Sequence, residues 1–539
     1  MLGRRRLIGQ ACLGLGLAGP TLAASQRKSD VQNVIAETSR GRVRGAVNGG
    51  IRTFKGIPYG APTDGANRFR AAKPAVPWTG VRDAVAYGPT CPREVRPLPP
   101  YEASWAAEQP MSEDCLVLNI WTPALRDHHK RPVMVWIHGG GFSRGAGANP
   151  VYDGTNLARK GDVVVVTLDH RQDIFGHLYL ARIGGTEYAE SGNLGVLDLV
   201  AALRWVHVNI AEFGGDPANV TIFGQASGGA RVSTLMAMPL TRGLFHRAIV
   251  QSGSQLDGLT ADEANAHALT FLKAADIPAT DLSRLQKLPF EQLLAVSRKI
   301  RQAPGVPPSF APVVDGKFLP KAPWIPVGPA TSATVPMLIG TTKTETTTLP
   351  GVDDPSVFAL DDAGLRKKLA VWVPANEIDR VVAGYRKSAP RATPSDLFFA
   401  ITTARRTRQQ AWLQAERKVA QNAAPVWLYE LDWETPVDEG KWKSPNELDL
   451  AFVFDNVAAS GSMVGDGEGP RALADQMSAA WLAFARTGNP NNKTVPQWAP
   501  FRLPERNTMV FDTKSRTVND FRGDERQLLA SLPPFRVSW

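Results

Sequence analysis

The chain has 539 residues, 43% of them apolar, and a formal net charge of +10, or +7 without the three leader arginines Arg4, Arg5 and Arg6. That length and apolar content can bury a large core and exclude a disordered chain. Basic residues are interspersed with acidic ones and no basic block alternates with aromatics, which argues against a nucleic-acid partner.

Residues 1–24 have the three parts of an export signal: Gly3-Arg-Arg-Arg6, the apolar stretch Leu7 to Ala18, and small residues around Thr21-Leu-Ala-Ala24. The Arg-Arg pair before Leu7-Ile8 loosely matches a twin-arginine signal; an ordinary secretory peptide is the alternative. The mature product is expected to be periplasmic or secreted, with residues 25–539 forming one domain. No later window reads as an apolar run long enough for a membrane span, which predicts a soluble product. Cys12 leaves with the signal, so Cys91 and Cys115 remain as an even pair in an exported chain. They are expected to form one disulfide; two buried free thiols are the alternative.

The stretches Asn33 to Ser39, Arg42 to Gly45 and Ile51 to Lys55 read as short antiparallel strands. A long Pro-rich loop between Cys91 and Cys115, with Pro97, Pro99, Pro100, Tyr101 and Trp105, has the length to wall a pocket. From about Leu116 the rhythm changes. Val133 to Ile137 and Val163 to Leu168 are continuous apolar runs, as in parallel strands covered on both faces. Helical spacing follows over Gly195 to Ile210, then strands at Val220 to Phe223 and His246 to Gln251. Later strands are expected at Pro336 to Gly340, Pro425 to Leu431 and Thr508 to Asp512, with helices at Ala404 to Asn422 and Arg471 to Arg486. This alternation predicts a doubly wound, mostly parallel α/β sheet with helical insertions.

Val220-Thr-Ile-Phe-Gly-Gln-Ala-Ser-Gly-Gly-Ala230 passes from a β-branched run through small residues into the amphipathic segment Arg231 to Met238. Strand, sharp turn and helix are the layout of the nucleophile elbow G-x-S-x-G. Gly224 and Gly228 are in place, but the residue between them is Ala226, whose methyl group cannot attack a carbonyl. Ser227 follows one place late. A displaced elbow centred on it would need glycine at Gln225, so Ser227 reads better as a helix N-terminal hydroxyl than as a nucleophile.

Several further segments carry a family resemblance: Phe54-Lys-Gly-Ile-Pro-Tyr59, Ser112-Glu-Asp-Cys-Leu-Val-Leu-Asn119, His138-Gly-Gly-Gly-Phe142, Phe213-Gly-Gly-Asp-Pro217, Gln251-Ser-Gly-Ser254 and Phe484-Ala-Arg-Thr-Gly-Asn-Pro490. Together they resemble the type-B carboxylesterase family, the group of bacterial para-nitrobenzyl esterases and cholinesterases, over nearly the whole mature chain. The resemblance implies an α/β-hydrolase fold, no cofactor, a disulfide matching Cys91 to Cys115, and a Ser, Glu, His triad in that chain order. Carried over, the serine falls on Ala226. The acid falls on Glu345 in Gly340-Thr-Thr-Lys-Thr-Glu345, and the histidine on Asn446 in Lys443-Ser-Pro-Asn446. The last histidine of the chain is His267, so nothing beyond it can supply the base in the family's order.

A serine mechanism needs a nucleophilic oxygen, a base to take its proton and an orienting acid, and here only the acid position is kept. Gly139-Gly-Gly141 follows a buried strand and His138, and predicts an oxyanion hole from the N–H groups of Gly140, Gly141 and Ser227. Gln225 stands where many relatives carry Glu. In Leu168-Asp-His-Arg-Gln-Asp-Ile-Phe-Gly-His177 the polar residues Asp169, Gln172, Asp173 and His177 depart from the family's usual reading, and the resemblance places His170 near the pocket. Their spacing matches no metal-ligand pattern, and structurally paired residues are the favoured reading.

The function expected is that of an exported, carboxylesterase-like protein whose standard ester hydrolysis is lost and whose pocket binds a small ester or acyl compound, or a protein partner. The alternatives are a hydrolase with a displaced nucleophile and a lyase or isomerase that uses the oxyanion hole, with His170 or Glu345 moving the proton.

Overall fold

The computed structural model describes residues 34–95, 99–105, 109–303, 309–533 and 535. Residues 1–24, read from sequence as an export signal, and Pro97 lie outside the described residues. A 13-stranded sheet organises the rest. In chain order its strands are β1 (Val34–Thr38), β2 (Gly41–Asn48), β3 (Ile51–Pro58), β4 (Val81–Asp83), β5 (Val117–Thr122), β6 (Arg131–Ile137), β7 (Val164–Leu168), β8 (Gly215–Gln225), β9 (Arg247–Gln251), β10 (Met337–Thr342), β11 (Val426–Leu431), β12 (Thr508–Phe511) and β13 (Arg516–Val518). Across the sheet they run β1-β2-β3-β5-β7-β6-β8-β9-β10-β11-β12-β13, with β4 beside β2. Apart from β4, which lies parallel to β2, the N-terminal strands pair antiparallel as far as β5 with β7. From β7 through β12 every pairing is parallel.

The apolar runs form the middle of this sheet because both faces are covered. All seven residues of β6 and all five of β7 are buried. Successive side chains point to opposite faces. Val133, Val135, Ile137, Val164, Val166, Val220 and Ile222 therefore enter one core. Met134, Trp136, Val165, Phe223 and Ile249 enter the other. Burying each such side chain contributes roughly 1.5–3 kcal/mol. On the second face Trp136 is ringed by Tyr152, Phe223 and Phe454, with ring centroids 4.9, 4.9 and 5.0 Å away.

Helix α1 (Leu194–Asn209) packs on the first face and α2 (Ser227–Leu235) follows β8 directly. The run Ser191–Phe213 is apolar and long enough, by length and composition, to cross a membrane, contrary to the sequence reading. Two thirds of its most apolar window is buried inside the fold, which accounts for that composition. A separate helical layer comprises α3 (Ile378–Ser388), α4 (Pro394–Thr403) and α7 (Gly523–Ala530), while α5 (Gln409–Val419) packs on the first face of the sheet and α6 (Glu468–Thr487) on the second. The helix expected over 404–422 instead begins as a π-helical turn, Ala404–Arg408, between α4 and α5.

Two expectations differ from the structure. The segment 231–238, expected to be amphipathic, shows no polar solvent face within α2: all nine residues of the helix are buried, Arg231 included, because it is wedged against the sheet behind β8. Cys91 and Cys115, expected to be joined, are buried and stand in this structure as two free thiols. The neighbouring Cys91 thiol, with burial, raises the Cys115 thiol well above its usual pKa.

Candidate functional site

In open parallel sheets ligands bind beyond the carboxyl ends of the strands. The residues singled out from sequence converge there, on the loops that leave β6, β8 and β10. Between β8 and α2 the chain turns at Ala226, whose φ of 49° and ψ of −124° lie in a region that costs a non-glycine residue roughly 1–3 kcal/mol. The turn is locked from both sides. Ala226 N–H donates to the Gln251 carbonyl at 2.9 Å, and its own carbonyl accepts from Ala230 N–H at 2.9 Å. The glycines around it are needed for close backbone approach: a Cβ on Gly228 would lie 2.0 Å from the Ile137 carbonyl oxygen, and one on Gly253 2.1 Å from the Ala226 carbonyl oxygen.

Ala226 opens onto a cavity of about 420 Å³, within the range of small-molecule sites. The same cavity is lined by Gly139, Gly140 and Gly141 from the loop after β6, and by Asn446. Gly140 and Gly141 have φ of 105° and 63°, and a Cβ on Gly140 would strike the Arg144 carbonyl at 2.5 Å. The outer wall is strongly charged, with Arg93, Arg144 and Arg406 beside Glu94, Glu102 and Glu447. Arg406 reaches it from the π-helical turn, a device often found at functional sites. Trp105 and Tyr152 add aromatic surface. The Trp105 wall comes from the Cys91 to Cys115 loop, as its length suggested.

Glu345 opens a short helical turn just after β10 and is wholly buried. Its Oε1 accepts from Thr342 N–H at 2.9 Å, and its Oε2 accepts from Asn446 Nδ2. Burial pushes its pKa up to about 7, although the Asn446 and Thr342 bonds oppose the rise. Asn446 Oδ1 in turn accepts from Gln225 Nε2 at 2.9 Å. The structure thus brings Gln225, Asn446 and Glu345 into one chain of hydrogen bonds alongside Ala226. Gln225 does not face the cavity, as a pocket residue would; it is buried and tied to Asn446.

Ser227 and His170 also lie elsewhere than in the cavity wall. Ser227 is fully buried; its hydroxyl donates to the Gly141 carbonyl and accepts from Arg231 Nη1 at 3.1 Å. His170 is fully buried with its ring centroid 4.6 Å from that of His138, and burial holds its pKa well below the usual value. Asp169 accepts from Thr90 Oγ1 and Gly147 N–H, both at 3.1 Å, and burial raises its pKa to about 7. Asp173 accepts from Ser297 Oγ at 2.9 Å and pairs with Arg301. Gln172 Nε2 donates to the Gly145 carbonyl at 3.1 Å. Among the described residues no group of three or more His, Cys, Asp or Glu side chains is arranged to hold a metal ion.

Sequence reasoning missed three features. Arg231 carries no signal beyond its place in an amphipathic segment; Asp449, which accepts from Gln251 Nε2 at 2.9 Å and Tyr429 Oη at 3.0 Å beneath the site, falls in no motif; and Arg93 and Arg406 have no motif to mark them. A larger groove of about 700 Å³ lies away from these residues, beside α3, α4 and α7. Its lysines are already paired, Lys443 with Asp396 at 2.9 Å and Lys343 with Glu434 at 3.1 Å, so it offers no comparable set of converging groups.

The family model described as "Carboxylesterase family" matches residues 32–528. The chain is 36% identical to the para-nitrobenzyl esterase of Bacillus subtilis over 92% of its own length and 98% of that protein. It is 33% identical to the phenmedipham hydrolase of Pseudarthrobacter oxydans, covering 90% of this chain and 96% of that one. Among solved structures, the carboxylesterase EST55 of Geobacillus stearothermophilus superposes with a TM-score of 0.80 at 38% identity, over 92% of this chain and 99% of that one.

Proposed function

Because the chain belongs to the carboxylesterase family, we propose that it is an exported, esterase-like protein that has lost Ser-Glu-His hydrolysis and keeps a pocket for small ester or acyl compounds. The observation that carries this reading is the side chain at 226. A strained elbow, held at both ends by backbone hydrogen bonds, presents a methyl group to the cavity. Beside it the imidazole position is filled by Asn446, whose amide nitrogen has no free lone pair and is committed to Glu345. Losing nucleophile or base alone typically costs about a millionfold in turnover, because the two act as a unit. The N–H groups of Gly140, Gly141 and Ser227 are assigned to an oxyanion site that outlives the triad. Export follows from the sequence of residues 1–24, and the adjacency of Cys91 and Cys115 supports a disulfide forming in an oxidising compartment.

The geometry favours neither alternative. The Ser227 hydroxyl is directed at the Gly141 carbonyl and Arg231, with no base in contact. Glu345 and His170, the groups a lyase would use to move a proton, are both wholly buried and do not line the cavity. The test is hydrolysis of para-nitrophenyl acetate and butyrate by the purified mature chain. The expected rate is no more than about a thousandfold above the uncatalysed one, the residue left by oxyanion stabilisation and binding. Turnover at rates typical of esterases would overturn the proposal.

A further inference from the structure

Beneath the glycine loop, Arg231 is fully buried in the second turn of α2. One edge of its guanidinium is used: Nη1 donates to Ser227 Oγ at 3.1 Å and approaches the His138 carbonyl at 3.5 Å. One face is covered by the Phe142 ring, whose centroid is 4.7 Å from Cζ. The other edge, Nε and Nη2, is buried and without a hydrogen-bond partner. Those two N–H groups are the parallel pair that grips a carboxylate side-on. The chain itself shows what this edge takes. Arg171 grips Asp198 with Nε at 2.8 Å and Nη2 at 2.7 Å, and Arg68 grips Glu113 through the same two atoms. Among the described residues no acidic side chain takes that place on Arg231, and burial lowers its pKa.

The surroundings are polar and equally unsatisfied. Both ring nitrogens of His170, and Nε2 of His138 and of His177, are buried and unpartnered, as is Gln172 Oε1. His138 and His177 each use Nδ1 on a backbone carbonyl, of Gly139 at 2.9 Å and of Gly192 at 3.0 Å. Their places are made by missing side chains: a Cβ on Gly145 would lie 2.3 Å from His138 Nδ1, and one on Gly195 2.7 Å from His177 Nε2. An isolated cation in such an interior is costly unless an anion or ordered solvent meets it.

We propose that the Nε–Nη2 edge of Arg231 is a binding site for a small planar monoanion of the formate class, held beneath the glycine loop beside His170. A planar oxyanion accepts both N–H groups at once, as the Asp198 and Glu113 carboxylates do for Arg171 and Arg68. A His170 N–H supplies a further donor. The site lies apart from the esterase-like cavity and does not depend on the function proposed for it. Because Arg231 also holds Ser227, which holds the Gly141 carbonyl, occupancy braces the loop that walls the cavity.

The probe is sodium formate with the full mature chain, against sodium chloride at equal ionic strength. Formate is expected to raise the Tm saturably, on the order of 1–3 °C, while chloride does not. Arg231→Met removes the formate response, and Arg231→Lys, which keeps the charge without the fork, weakens it. Crystals of the unmodified chain grown with and without formate keep the test decisive if the variants do not fold. Planar density spanning Nε and Nη2 only with formate is the expected result. Separate waters at the fork in both crystals, or an equal and saturable response to chloride, would overturn the proposal.

Discussion

The side-chain amide of Gln225 donates to Oδ1 of Asn446 across 2.9 Å, and that bond fixes which way the Asn446 amide points. With Oδ1 occupied, Nδ2 is left to face Glu345. The acid is thereby satisfied by a neutral amide that can donate to it but cannot accept a proton from a neighbour at 226. Gln225, Asn446 and Glu345 thus form one continuous chain of hydrogen bonds.

Removing the first link should be felt in stability. Gln225→Leu leaves Asn446 Oδ1 buried without a donor, and loss of one partner from such a bond costs about 1–3 kcal/mol. Urea unfolding should show a lowered midpoint with an unchanged slope. An unchanged midpoint would mean that Gln225 is not holding Asn446.

Glu345 makes stability depend on pH in a defined direction. Its pKa rises from an ordinary 4.5 to about 7 on folding, so between those values the folded chain binds more protons than the unfolded one. Its contribution is fully present below about pH 4.5 and is lost as the pH rises through 7. Glu345→Gln removes this titration. The stability of the unmodified chain relative to that variant should therefore fall between pH 5 and pH 8, by on the order of 3 kcal/mol. A difference that stays flat, or grows with pH, would contradict the burial argument. Other titrating groups cancel in the comparison.

Much of this site could be read in the chain before any coordinates. Gly224 and Gly228 mark the elbow because the close approach of backbone to Ile137 tolerates no Cβ. Glu345 and Asn446 are marked by their flanking motifs, and the β6 and β7 strands by unbroken apolar runs. Arg231 was illegible for a physical reason. A charged residue spaced along a helix reads as the solvent face, and only the packing of α2 against the sheet shows that the helix has no such face. The directions of Gln225 and His170 were hidden likewise, since one residue's rotation separates a cavity wall from the interior behind it. The largely apolar stretch at 191–213, broken by Asp198 and Arg204, has the length and composition of a membrane span and the burial of a core helix.

The two thiols give a compartment-dependent prediction. Cys91 and Cys115 are both buried, and the Cys91 thiol is near enough to shift that of Cys115, so little movement is needed to join them. Chain exported to an oxidising compartment should yield a Cys91–Cys115 peptide on non-reducing digestion, and be roughly 3 kcal/mol more stable than the reduced form by the loop-entropy argument. Two alkylatable thiols in the exported protein would count against both the disulfide and the compartment.

A fluorophosphonate should leave no adduct on the folded chain. Ser227 is the hydroxyl nearest to the elbow position, and it is buried, donating to Gly141 and accepting from Arg231. Intact mass after incubation reads the outcome directly. A stoichiometric adduct mapping to Ser227 would sink the proposed loss of chemistry.

The central claim is that this framework was emptied of its proton-transfer groups and otherwise left standing, and the double variant Ala226→Ser/Asn446→His tests it most directly. The elbow, the glycine loop and Glu345 are in place, so serine at 226 with imidazole at 446 should restore hydrolysis of para-nitrophenyl acetate. The gain should be on the order of a thousandfold or more over either single variant, because nucleophile and base contribute as one unit. Ala226→Ser alone should recover little, and Asn446→His alone nothing. A folded double variant with no activity on several small esters would contradict the account and mean that the cavity has been rebuilt for other chemistry.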